Sequence, residues 1–213
     1  MSFFELPPPP PEPERPKFEP PEWLGPPENV LPGPFALEQL LSRTDRVALL
    51  VHSGRAYPNG FEFALALVTR EVRHGRRHDP MMAWHGIPQD EGLSDDVLRF
   101  GIELADGRKA TVFDRHRGFE PDAPAPELVL QQRGGGGGGK GFEFRFWVWP
   151  LPPPGPLAFV VEWPSEGISL TRFEVDTEPI RAAAAHVQVL WPGGSEGGGT
   201  TWSTHVMSRR ESK

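Results

Sequence analysis

The chain has 213 residues, with 27 prolines, 24 glycines and a formal charge of −7. That length suits one domain with substantial tails, and the acidic balance argues against a chain-wide footprint for nucleic acid. Cysteine is absent, which excludes disulfides, thiol nucleophiles and thiolate metal sites.

The first residues, MSFFELPPPPP, lack the basic start and apolar run of a signal peptide. Nothing approaches the roughly 20 apolar residues that cross a bilayer. A soluble cytoplasmic protein with no membrane contact is therefore expected. Residues 1–33 form a proline-rich arm, expected to be extended or disordered because proline fixes φ and donates no hydrogen bond. Its PxxP spacing between Pro13 and Pro16 suits an aromatic groove on a partner. The competing reading is a solvated tail, or an arm laid across its own domain, with Trp23 and Leu24 as the pair most suited to dock.

From Phe35 the composition turns globular. Residues 35–43 fit either a helix, through Leu37, Leu40 and Leu41, or an edge strand. Val47 to Ser53 reads as a strand with Val47, Leu49 and Val51 on one face. Pro58-Asn59-Gly60 supplies turn chemistry, and Phe61 to Arg70 follows with Phe61, Phe63, Leu65 and Leu67 alternating against smaller or polar residues. Ala64 and Ala66 on the second face predict something packed closely over them. Residues 71–94 break the pattern and form a long loop. Leu98 to Ala105 and Lys109 to Asp114 flank Asp106-Gly107, a hairpin signal. Glu127 to Arg133 is a short strand, and six glycines, 134–139, predict a loose, flexible closure onto the next one.

The most regular stretch is GFEFRFWVWPLPPPGPLAFVVEWP, residues 141–164. Phe142, Phe144, Phe146 and Val148 share one face, and Glu143, Arg145, Trp147 and Trp149 the other. Leu157, Phe159, Val161 and Trp163 alternate in the second run, so the two read as a hairpin joined by a rigid proline turn. Ile168 to Asp176 adds a strand with Phe173 and Val175 inward. Residues 178–186 read as a helix, with Ile180, Ala183, Ala184 and Val187 on one stripe. The pattern predicts a mainly β chain: an antiparallel β-sandwich at 34–191 with one C-terminal α-helix, a proline-rich N-terminal arm, and a disordered glycine-rich tail at 192–213. A closed barrel is the alternative.

Four constellations bear on chemistry. GGGGGGKG, 134–141, matches a phosphate-binding loop in glycine and lysine alone; Gly141 stands where a hydroxyl should hold magnesium, and a strand follows instead of a helix. His74 and His78, with His85 later in the loop, are candidate metal ligands, but Arg76 and Arg77 would repel a cation. The carboxylate pairs Asp90-Glu91 and Asp95-Asp96 lie in polar stretches that need no catalytic explanation. Trp147 and Trp149 beside Arg145 would make a sticky patch if their face were free, with Trp23 as a further contact. Alternatively the C-terminal helix, the arm or Trp191 covers them.

RVALLVHSGRAYPNGFEFALAL, LRFGIELADGRKATVFD and PLPPPGPLAFVVEWPSEGISLTRFEVD together resemble a family of small actinobacterial β-sandwich-like proteins of unknown function, over about residues 35–191. The resemblance implies the fold and brings no catalytic residues. The resulting expectation is a non-enzymatic protein that acts through protein contacts, with no cofactor and an oligomeric state that the sequence does not give. The alternatives are a hydrolase or metal-dependent enzyme using His74, His78 or His85, and a carbohydrate-binding sandwich using an exposed tryptophan pair.

Overall fold

The computed structural model describes residues 20–72, 92–114 and 124–191. Over these residues the chain is mainly β, its sheets are antiparallel, and its one α-helix lies near the C-terminus. The strands are β1 (Val30–Leu31), β2 (Gly33–Phe35), β3 (Gln39–Arg43), β4 (Val47–Ala56), β5 (Phe61–Thr69), β6 (Arg99–Glu103), β7 (Lys109–Thr111), β8 (Val129–Gly138), β9 (Gly141–Trp149), β10 (Pro156–Trp163), β11 (Ile168–Asp176) and β12 (Gln188–Val189), with α1 at Glu178–Ala184.

Two sheets face each other. A six-stranded sheet runs β2-β4-β5-β9-β8, with β3 also on β4, and a four-stranded sheet runs β11-β10-β6-β7. Alternation decides which side of each strand enters the core. Phe61, Phe63, Leu65 and Leu67 from β5 and Phe144, Phe146 and Val148 from β9 are buried, and so are Phe100, Ile102, Leu157, Phe159 and Val161 from the opposite sheet. The two layers meet ring on ring. Phe63 lies 5.5 Å from Phe146 in its own sheet, and 6.1 Å and 5.2 Å from Phe100 and Phe159 across the gap. Such pairs add to area burial because the edge of one ring is attracted to the face of the next.

The hairpins around residues 58–60 and 106–107 form as their turn residues predict, with Tyr57 N–H donating to Gly60 O at 2.8 Å and Gly107 at φ 87°. Within residues 35–43 the regular part is strand, not helix: β3, Gln39–Arg43, pairs with β4 along the edge.

Two expectations are corrected. The runs either side of PLPPPG are not partners. β9 pairs with β5 and β8, whereas β10 pairs with β6 and β11. The proline segment therefore crosses from one sheet to the other. Proline cannot donate to a ladder, so a stiff segment free of ladder bonds suits that crossing. The second correction is the glycine tract, which is no loose closure. Gly134–Gly138 continue β8 and pair with Arg145–Gly141 of β9, and the chain reverses only at Gly139-Lys140. Large rings make this possible. A Cβ at Gly135 would come within 3.0 Å of the Phe144 ring, and one at Gly137 within 3.0 Å of the Phe142 ring. The β9 backbone, at Glu143 O and Gly141 O, and then its aromatic side chains occupy the space that the glycines leave, the side-chain part being a known rescue of glycine in a strand.

The arm joins the fold as well. β1 pairs with β12, tying residues 30–31 to 188–189. Asn29 strengthens the tie by accepting from Trp191 N–H at 2.9 Å and donating to Trp191 O at 3.1 Å. α1 buries Ile180 and Ala184 against β2 and β4. It approaches so closely that a Cβ on Gly33 would stand 2.0 Å from Ala183 O.

Candidate functional site

The outer face of the six-stranded sheet carries two different environments. Ladder register places Arg55, Glu62, Trp147 and Gln131 side by side, then His52, Ala64, Arg145 and Gly134, then Leu50, Ala66, Glu143 and Gly136. While Arg55 stays exposed, the Trp147 end of the first row is covered by the chain's own arm. A 3-10 turn at Glu22–Leu24 lies over it, and Trp147 Nε1 donates to Trp23 O at 3.2 Å. Arg133 Nη1 donates to Leu24 O at 2.9 Å, and Asn59 Nδ2 to Glu22 O at 3.4 Å.

The indole of Trp147 fits because Gly60 lies beside it; a Cβ there would approach Trp147 Cη2 to 2.6 Å. Tyr57 meets the indole edge-on at 5.6 Å, and Val129 and the partly buried Trp23, Val30 and Trp149 complete the cluster. Trp147 is 0 % exposed. The sticky patch of Trp147, Trp149 and Trp23 is thus closed within the molecule, and the exposed coplanar pair that a sugar platform needs does not form. Trp191 is not the cover, since it is 67 % exposed.

The next two rows stay open. Here a groove of about 750 Å³ is lined by Pro34, Ser53, Arg55, Glu62, Ala64 and Arg145, with Gly136 and Glu143 along its far side. Small residues create it: Ala64, Gly134 and Gly136 project almost nothing between the longer side chains. Ala64 is buried, at 3 % exposure, on the floor of this trough between the longer side chains, whereas Ala66 is half-buried. Arg145 stands exposed on the wall of the trough.

A β-bulge shapes one end. Register shifts between His52 and Gly54, leaving Ser53 as an extra residue at φ 42°, the one positive-φ residue other than glycine among the described residues. A bulge turns consecutive side chains to one face, and His52 and Ser53 both reach the open side. Ser53 Oγ lies 3.1 Å from His52 Nδ1, and His52 Nε2 lies 3.3 Å from Glu143 Oε2. Tyr57 Oη donates to Glu62 Oε2 at 3.0 Å; burial, and then the Glu62 carboxylate, push the Tyr57 hydroxyl up to about 12.

None of His52, Ser53 and Glu143 stands out in the sequence. The available signal was small: continuing the inward run Val47, Leu49, Val51 would put a hydroxyl, Ser53, into the core. His74, His78 and His85 lie outside the described residues. Among the described residues no three His, Asp or Glu side chains are grouped as metal ligands, and no helix is long and apolar enough to cross a membrane. A second hollow, between β2 and α1, is lined mostly by proline and alanine, and its His186 Nδ1 is 2.7 Å from Ala182 O. The chain matches no known family, no curated protein and no solved structure. The fold therefore rests on the chain's own strands and turns, and not on a resemblance.

Proposed function

We propose that this protein is a contact module that receives an extended segment of a protein partner along β8, beside the open groove. The observation that carries it is the glycine half of β8. It is the terminal strand of its sheet, hydrogen-bonded to β9 on one side. Residues 135–138 are exposed and carry no side chain. Edge strands are ordinarily guarded by lysine, proline, inward charge or a covering element, because their free N–H and C=O groups template a further strand. Among the described residues no such guard lies over the glycines. A partner strand would gain main-chain hydrogen bonds along Gly134–Gly138 and side-chain contacts with Arg145 and Glu143 in the groove.

The test uses the outward glycines. A Cβ at Gly136 or Gly138 meets nothing within 4 Å, so lysine fits at both without disturbing the sheet. Native lysate is passed over the full chain, over a chain lacking residues 1–19, which keeps the Trp23 seal, and over Gly136→Lys/Gly138→Lys. A stoichiometric partner held by the first two and lost from the lysine pair is the expected result. A partner held equally by all three, or by none, would overturn the proposal.

A further inference from the structure

We propose that Ser53 is an activated nucleophile, with His52 as its base and Glu143 orienting that base, and that the groove hydrolyses carboxylic esters. The proposal does not rest on partner binding, since it concerns the bulge end of the groove and is read with a small ester.

The geometry supplies each role. Ser53 Oγ sits 3.1 Å from His52 Nδ1, within reach of proton transfer. Glu143 Oε2 lies 3.3 Å from His52 Nε2, and a carboxylate at that nitrogen favours the tautomer protonated there, whose Nδ1 lone pair faces the serine. The carboxylate comes from a strand two places away in the sheet, β9, while the serine and histidine come from β4. The contact is therefore made by the fold and not by sequence neighbours alone.

Backbone conformation singles out the same residue. At φ 42°, position 53 is in the left-handed region that favours glycine, yet it holds serine. Strain at a non-glycine residue is characteristic of positions held for their side chain, and serine nucleophiles are commonly presented on strained turns. Arg55 and Arg145 line the same groove and are its cationic hydrogen-bond donors for charge that develops on a carbonyl oxygen.

The steps balance without any group beyond water. Ser53 Oγ attacks the carbonyl carbon as its proton passes to His52 Nδ1. The C–O bond to the alcohol breaks, and the alcohol leaves with that proton. Water then attacks the acyl-serine, gives a proton to His52, and the acid departs as Ser53 recovers its hydrogen.

The test treats the full chain with p-nitrophenyl acetate and, separately, with a fluorophosphonate, locating adducts by peptide mass. The expected result is a single adduct at Ser53, release of more than one equivalent of p-nitrophenol, and loss of both in Ser53→Ala. His52→Gln should slow modification by about 100-fold or more, the range of general-base assistance. Should His52→Gln fail to fold, Glu143→Gln, on an exposed part of β9, is the deciding variant, with a slowing of about tenfold or more expected from the lost tautomer. A folded wild-type chain unmodified at Ser53, or a Ser53 modified at the same rate without its base or without Glu143, would overturn the inference.

Discussion

The two ends of the outer sheet face are built from the same four strands, β4, β5, β9 and β8, and end in opposite conditions. Toward the 57–60 turn, β9 presents Trp147, and the chain spends a stretch of its own arm to cover it. Toward the glycines, the same strand presents Glu143 and Arg145 beside Ala64, Ala66 and Gly136, and nothing among the described elements lies across them. An indole left in water is an adhesive surface, and covering it releases apolar area at roughly 25 cal/mol per Å². Two charged side chains gain nothing from being covered and lose hydration if they are. Side-chain chemistry therefore decides which half of a continuous sheet face becomes interior and which stays available to other molecules.

The largest expected effect follows from removing the indole. Trp147→Ala should destabilise the fold by about 3–5 kcal/mol, as for other buried tryptophans, whereas Arg145→Ala, two residues along, should stay within about 0.5 kcal/mol. Denaturant midpoints at constant slope check both. Equal losses at the two positions would erase the distinction between a sealed end and an open one.

Tyr57 reports on the sealed end in a second way. It is the only tyrosine in the chain, so absorbance near 295 nm follows it alone. Its hydroxyl is raised to about 12 in the fold, against about 10 when unfolded. A group whose folded value is raised contributes its stability fully below the unfolded value. That contribution should therefore be complete below about pH 10 and fade as pH rises from about 10 through 12. Glu62→Gln should bring the midpoint down without returning it to the ordinary value, because burial is the larger cause. An ordinary midpoint in the native chain would mean that the arm does not seal the cluster.

Strand alternation made most of the core legible in the sequence. The inward residues of β5, β9 and β10 are those their period of two selects. Partnership was less legible, because alternation says which face is buried and nothing about which strand lies alongside. PLPPPG reads as a turn and acts as a bridge between sheets for that reason. The glycine tract was misleading in isolation: its conformation is set by Phe142 and Phe144 on the neighbouring strand, which no local rule consults. The site fared worst. His52, Ser53 and Glu143 are brought together by a one-residue bulge, and a bulge leaves only a misplaced polar residue as its trace. The tryptophans are conspicuous in the sequence because of their size, yet size is what caused the chain to cover Trp147.

The glycine half of β8 offers a finer contrast between its own two sides. Gly135→Ala places a Cβ 2.8 Å from Glu143 O and 3.0 Å from the Phe144 ring, and overpacking of this kind costs about 1–3 kcal/mol. Gly136→Ala meets nothing within 4 Å and should shift stability by no more than about 0.5 kcal/mol. Thermal melts of the two single variants check this. Similar behaviour in both would mean that the rings of β9 do not hold the tract in the strand.

The smallest effect carries the opposite sign and lies at the open end. A left-handed backbone costs a residue with a Cβ roughly 1–2 kcal/mol, and glycine's extra freedom in the unfolded chain takes back roughly 0.5–1 kcal/mol. Ser53→Gly should therefore stabilise the fold by about 0.5–1 kcal/mol, a rise of a few degrees at most for a chain of this size. Ser53→Ala keeps the strain and loses the hydroxyl's contact with His52, so it should melt at or below the native chain. Read together, the pair separates the two uses of a serine. If glycine stabilises while both variants lose esterolysis, the hydroxyl is kept at position 53 against the interest of the fold, as an open, working end requires. If glycine destabilises instead, the Ser53–His52 contact is holding the bulge together, and the open end is as structural as the sealed one.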